Sequence, residues 1–343
     1  MIRSDIKTLA AYHVQDASGL IKLDAMENPF TLPDDVQRIL GERLAAAPIN
    51  RYPDAGMLAL REKIAAHEGV RPDQILIGNG SDEIIQMLIM AVEPGSCAAP
   101  DPTFVMYEMI SRWFKRPFTP VPLNDDFSLD ADRFLQIASR EKARLAFLAC
   151  PNNPTGNLWP EETILRIRDN FSGLLVIDEA YAPFSERNHT HLASSHVLIL
   201  KTFSKLGWAG LRLGYLIGDT SLIEQLNKVR LPYNINMLTQ VAADVLFDHY
   251  DIFEQQAATI RQERARMATA LAAIGGIEVF PSQANFITLR VQDADAVFKQ
   301  LLARKILIKK LGGSPLLHNC LRITIGTAEE NKQLLQALKE SCA

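Results

Sequence analysis

Cysteine is scarce in this chain. Cys97, Cys150, Cys320 and Cys342 are the only four in 343 residues, and no two have C-x-x-C spacing. Such thiols build no disulfide framework and read as the reduced side chains of a cytoplasmic protein. Positive charge is not in excess either. The formal net charge is −4, which leaves no basic footprint for nucleic acid or an anionic membrane. The longest apolar run, residues 84–92, is interrupted by Gln86 and is far too short to span a bilayer. Residues 1–19 hold no apolar stretch of signal-peptide length, which again points to the cytoplasm. Internal repeats and low-complexity tracts are absent. His189 and His191 have no Cys or further ligand nearby, so a solvated polar loop is expected there and no metal site. G-x-S-x-G, H-E-x-x-H and G-x-x-x-x-G-K-[ST] are all missing, so hydrolase, zinc-protease and P-loop chemistry lack their parts.

What is present is the pattern of an α/β protein. The chain is longer than a single core usually sustains, so two domains are expected. Short apolar runs alternate with helical periodicity from about Pro33 onward. Strands are predicted at 74–77, 96–99, 145–149, 174–178, 197–201 and 213–217, with helices such as 84–92 and 161–170 between them. Several of these strands are apolar throughout, as in a mostly parallel sheet covered by helices on both faces. A long helical stretch over 239–274 then changes the rhythm. Short strands near 277–280, 285–290 and 321–325, with helices 294–303 and 328–339, indicate a smaller α+β domain. The expected organisation is an N-terminal arm over 1–32, a large domain over 33–240 and a small domain over 241–343.

The chemistry gathers at the ends of the predicted strands. The run Leu174-Leu175-Val176-Ile177 ends in Asp178, and ligands of open α/β sheets bind at such carboxyl ends. A lone Asp there is most often a loop carboxylate, and a lone Lys is most often a solvated surface group. The next strand alters that balance. It runs into Thr202-Phe203-Ser204-Lys205, followed by Gly207, Gly210 and Arg212, so two hydroxyls and a guanidinium bracket the lysine as phosphate ligands do. The segment Pro151-Asn152-Asn153-Pro154-Thr155-Gly156 is a proline-bracketed turn that can aim an amide. Gly78-Asn79-Gly80-Ser81-Asp82-Glu83 leads into a helix whose N-terminus suits a phosphate. Glu83 occupies the third Gly position of a dinucleotide fingerprint, which disfavours a nicotinamide cofactor. Pyridoxal phosphate (PLP) asks for all these parts at once: a lysine amine, an acid for the pyridine nitrogen, donors for the phenolic oxygen and a phosphate cradle.

The set Asn153-Pro154-Thr155-Gly156, Asp178-Glu179-Ala180-Tyr181 and Ser204-Lys205 resembles the fold-type I PLP-dependent aminotransferases. Leu23-Asp24-Ala25-Met26-Glu27-Asn28-Pro29, Arg51-Tyr52-Pro53-Asp54 and Leu321-Arg322-Ile323-Thr324-Ile325-Gly326 further resemble the histidinol-phosphate aminotransferases, in order along nearly the whole chain.

The resemblance implies a role for each matched residue. Lys205 is the catalytic lysine that carries PLP. Asp178 pairs with the pyridine nitrogen, Asn153 and Tyr181 with the phenolic oxygen, and Phe104 stacks on the ring. Gly80, Ser81, Asp82, Thr202, Ser204 and Arg212 hold the phosphate, joined by Tyr52 from the partner of a homodimer with shared sites. Tyr12, Asn28, Lys309 and Arg322 are implied for the substrate. No metal, nucleic acid or membrane partner is implied. The implied reaction transfers an amino group between L-histidinol phosphate and 2-oxoglutarate, with aromatic aminotransferases and threonine-phosphate decarboxylases as rivals on the same fold. Two departures stand out. Arg212 follows Lys205 by seven positions where many members have eight, which requires a tighter loop that Gly207 permits. Lys309 stands where many members have Arg, so the charge is kept and the forked geometry is lost.

Overall fold

The computed structural model describes residues 1–9, 11 and 15–342. Among the described residues thirteen strands form three sheets. In chain order they are β1 Ile21–Lys22, β2 Ile75–Asn79, β3 Ser96–Asp101, β4 Phe118–Pro122, β5 Ala143–Ala149, β6 Leu174–Asp178, β7 Val197–Thr202, β8 Leu213–Ile217, β9 Glu278–Val279, β10 Phe286–Arg290, β11 Ile306–Leu307, β12 Lys309–Lys310 and β13 Cys320–Thr324.

The large sheet has the order β2-β8-β7-β6-β5-β3-β4. Its pairs are parallel except those made by β8, which runs antiparallel to β2 and β7. The apolar strands are covered on both faces, as their composition predicts. Leu175, Ile177 and Ile199 pack into one core, while Val176, Leu198 and Leu200 pack into a second on the opposite face. The first core continues into the small sheet through Ile287, Leu321 and Ile323.

The small sheet, β12-β13-β10-β9, is antiparallel. The N-terminal segment joins this part of the chain: β1 pairs in parallel with β11, and Thr324 N–H donates to Leu23 O at 2.9 Å. The long helix differs from the sequence pattern in more than its ends. The helical stretch predicted over 239–274 is two helices, Met237–Phe247 and Tyr250–Ala272, separated at Asp248 and His249.

The topology fixes where a site can form. Strands β2, β3, β5, β6 and β7 all point their carboxyl ends toward one edge of the sheet. Because β8 is reversed, its start lies at that same edge, with Thr202 opposite Gly214 and Asn79 opposite Leu213. Arg212, immediately before β8, is thereby returned beside the end of β7. The four cysteines form no disulfide, and no helix among the described residues is long and apolar enough to cross a membrane.

Candidate active site

At that edge lies a cavity of about 110 Å³ whose wall includes Ser81, Phe104, Asn153, Asp178, Tyr181, and Lys205 with Arg212. Asp178, the last residue of β6, is buried. Its Oδ1 accepts from Ala180 N–H at 3.0 Å and its Oδ2 from the Tyr107 hydroxyl at 2.6 Å. Burial pushes this carboxyl up to about 6, against the Tyr107 and Ala180 bonds, which favour the charged form. Tyr107 is itself fully buried, stacked on Phe147 at 4.4 Å and meeting Phe104 edge-on at 5.5 Å. Burial and the Asp178 charge hold its hydroxyl well above the usual range, so it stays a donor.

Lys205 reaches into the cavity, where its Nζ donates to Ala25 O at 3.2 Å. Burial, and then the Arg322 charge, lower its ammonium to about 8. Asn152 is held by the turn: its amide donates to Pro102 O and Thr155 Oγ1, and its Oδ1 accepts from Thr103. Asn153 is the one aimed at the cavity. Its Nδ2 donates to the Tyr181 hydroxyl at 3.2 Å, and its Oδ1 accepts from Arg322 Nη1 at 2.5 Å. Arg322, on β13, also donates to Asp24 O at 3.1 Å and lies over the Phe286 ring at 5.3 Å. Arg322, from the small sheet, and Asn153, from the turn after β5, are thus in direct contact.

A phosphate group fits the third part of the wall. Helix Ser81–Ala91 begins here with Gly80 as its N-cap, presenting unsatisfied first-turn N–H groups. Thr202 Oγ1 and Ser204 Oγ lie 3.0 Å apart, and Arg212 Nη1 stands 3.4 Å from Ser204 Oγ. Glycine is required at 80, where φ is +80° and a Cβ would lie 2.6 Å from Arg212 Nη2. Asp82 Oδ1 is buried without a hydrogen-bond partner, and burial raises this carboxyl while Arg212 and Lys205 oppose the rise. The hydroxyls, guanidinium, helix N-terminus, lysine and buried acid are the donor set that PLP calls for.

The chain turns through Ser204–Trp208 and Ala209–Leu211, with Gly207 at φ +142°. A Cβ on Gly207 would sit about 3 Å from both Phe253 and Asn28.

Four expected site residues lie elsewhere than the cavity wall or need comment. Asn28 is not brought to the cavity: its Nδ2 donates to Leu206 O and Gln256 Oε1, and its Oδ1 accepts from Phe30 N–H. Both amide N–H groups are therefore engaged, one of them bracing the loop after Lys205. Tyr52 is 78% exposed and stacked on Tyr233 at 4.5 Å, away from this chain's own cavity. Lys309 is the cross-strand partner of Arg322 and lines an adjoining cavity of about 370 Å³. Tyr12 lies outside the described residues. The expectation of a solvated loop fails at His189, which is 1% exposed with Nδ1 2.8 Å from Glu179 Oε1. Glu179 follows Asp178 and is drawn into a different cluster, where His189 and Lys201, itself 2.6 Å from Glu68, surround it. Tyr107 was missed from the sequence, although its position three after Phe104, at the start of a helix, is a usable signal.

The family model described as aminotransferase class I and II matches residues 18–338. The chain belongs to this family. Curated relatives of this aminotransferase include the histidinol-phosphate aminotransferase of Methylibium petroleiphilum, 47% identical over 98% of this chain and 94% of the relative. Histidinol-phosphate aminotransferase 1 of Burkholderia mallei is also 47% identical, over 99% of this chain and 97% of the relative. Among solved structures, the histidinol-phosphate aminotransferase of Sinorhizobium meliloti in complex with pyridoxal-5'-phosphate matches with a TM-score of 0.89 at 24% identity, covering 99% of this chain and 97% of that one. The L-threonine-O-3-phosphate decarboxylase of Porphyromonas gingivalis reaches 0.80 at 23% identity, covering 94% of this chain and 99% of that one. The fold expected from the resemblance, that of the fold-type I aminotransferases, is the fold of this aminotransferase. Fold alone does not separate the transaminase from the decarboxylase.

Proposed function

We propose that the chain transfers an amino group between L-histidinol phosphate and 2-oxoglutarate, with PLP as cofactor, as a cytoplasmic homodimer. The observation that carries the reading is the Arg322–Asn153 contact. It holds a buried, forked cation, suited to a phosphate or carboxylate substrate, against the amide that would meet the phenolic oxygen of PLP. The names of relatives at 46–47% identity support the substrate.

Bound PLP supplies an electron sink for a carbanion at the substrate Cα. The residues do the rest. Asp178, ionised and fixed by Tyr107 and Ala180, would hold the proton on the ring nitrogen. Asn153 and Tyr181 would share the phenolic oxygen, and Phe104 would cover the ring. Ser81, Asp82, Thr202, Ser204 and Arg212 would anchor the phosphate, with Gly80 leaving room for the Arg212 guanidinium. The Lys205 amine, whose depressed ammonium pKa leaves it neutral more readily than a surface lysine, would take the proton from Cα. Arg322, with Lys309 beside it and Tyr12 from the arm, would orient the substrate anion. Tyr52, exposed on its own subunit, would serve the partner's phosphate site. The arm over 1–32, large domain over 33–240 and small domain over 241–343 are the corresponding units.

The test is an amine screen of the purified protein with 2-oxoglutarate. Histidinol phosphate should give the highest kcat/KM beside phenylalanine, tyrosine and threonine phosphate. A preference for phenylalanine would replace this reading with an aromatic aminotransferase. Release of carbon dioxide from threonine phosphate would replace it with a decarboxylase.

A further inference from the structure

The 370 Å³ cavity that adjoins the cofactor site has walls of opposite charge. Lys309 and Arg322, paired across β12 and β13, form one wall. Asp101, at the carboxyl end of β3, and Glu108 form another. These carboxylates are not equivalent. Glu108 is engaged by Arg112 one turn along its helix, whereas Asp101 makes no ion pair among the described residues. Ser314, on the same cavity wall, offers it only a neutral hydroxyl. Burial and the neighbouring Glu108 charge both raise the Asp101 carboxyl, and Ser314 opposes them. An unpaired, part-buried carboxylate on the wall of a substrate cavity is costly unless something arrives to meet it.

L-Histidinol phosphate carries both complements. Its phosphate suits Lys309 and Arg322. Its imidazole carries an N–H donor, titrates near neutrality, and gains its proton more readily beside a carboxylate. We infer that Asp101 accepts the ring N–H of the amine substrate and so selects imidazole over apolar rings at this site. The inference rests on the function proposed above and deepens it. Asp101 also discriminates in the opposite sense against glutamate. The second carboxylate of that substrate is drawn to Arg322 and repelled by Asp101, so the residue gives nothing to the glutamate half-reaction.

The competing role for Asp101 is a latch that ties the Gly312–Ser314 loop to β3 through Ser314, with no part in recognition. Three variants separate the two: Asp101→Ala, Asp101→Asn and Ser314→Ala, each read as kcat/KM in the two half-reactions of the holoenzyme. Recognition predicts that Asp101→Ala lowers the histidinol phosphate value by about ten- to a hundred-fold. The glutamate value should stay level or rise. Asp101→Asn, which keeps the shape, should shift the ratio in the same direction by less, and serves if the alanine variant does not fold. Ser314→Ala should leave the ratio unchanged. Equal losses in both half-reactions, or a Ser314→Ala protein that reproduces the Asp101→Ala ratio, would make Asp101 a latch and overturn the inference. If wild type turns over histidinol phosphate and the Asp101 ratio does not move, the Asp101 inference alone fails. If wild type does not use histidinol phosphate, the proposed function fails and this inference with it.

Discussion

Tyr107 donates its hydroxyl to Asp178 across 2.6 Å, in a pocket where both side chains are buried. That bond favours the ionised carboxylate, so its loss raises the Asp178 pKa further above its already elevated position. In wild type, PLP affinity should weaken as pH falls through about 6 and Asp178 takes up its proton. In Tyr107→Phe the same weakening should begin at higher pH. Dissociation constants for PLP, measured by absorbance from acid to neutral pH, check this. A loss of affinity that is equal at every pH would assign Tyr107 a packing role only.

Removing the charge itself should separate stability from function. Asp178 is protonated more readily in the folded apoprotein, at about 6, than in the unfolded chain, near 3.8. The folded state therefore binds more protons between those values, and this group's contribution to stability is lost as pH rises through 6. Asp178→Asn should make the apoprotein more stable at pH 7–8, by roughly 1–3 kcal/mol. It should at the same time lose most PLP affinity and turnover. Paired denaturant melts and PLP titrations report both effects, and a destabilised apoprotein would contradict the assignment.

The Lys205 amine should show its depressed pKa directly. Only a neutral amine attacks an aldehyde, and near pH 7 about a tenth of Lys205 is neutral if its pKa is about 8. The rate of PLP uptake by apoprotein, followed by stopped-flow absorbance, should climb with pH and level off above 8. A climb continuing toward 10.5 would mean that burial does not depress this lysine. Lys205→Ala should lack the phase.

Tyr52 is exposed and stacked on Tyr233, so its proposed role needs a second subunit. Mixing Lys205→Ala with Tyr52→Ala and allowing subunits to exchange should produce hybrids with one intact site. Activity should then exceed that of either parent. Confirmed exchange without recovery would remove Tyr52 from any shared site.

Much of this was legible because catalysis depends on residues whose types are unusual for their surroundings. An acid ending an apolar strand at Asp178, and a lysine bracketed by hydroxyls and arginine at Lys205, stand out against a hydrophobic background. Tyr107 did not stand out, since a buried aromatic at helical spacing looks like ordinary core until its hydroxyl is seen on a carboxylate. Strand β4, Phe118–Pro122, carries two prolines and was passed over, being tolerated only at the edge of the sheet that it occupies. His189 was misjudged because its neighbours are polar, while its burial is set by Glu179, ten residues away.

The pairing of β1 with β11 joins Ile21 to Ile306. Roughly 285 residues of chain separate these strands, which at about 5–20 residues per second takes on the order of 15–60 s to synthesise. Asp178 and Lys205 are made before Ile306, and Arg322, whose guanidinium meets Asn153, is made after it. The N-terminal segment therefore waits for its partner strand until all of the large sheet has been made, and the contact between Asn153 and Arg322 is among the last this chain can form.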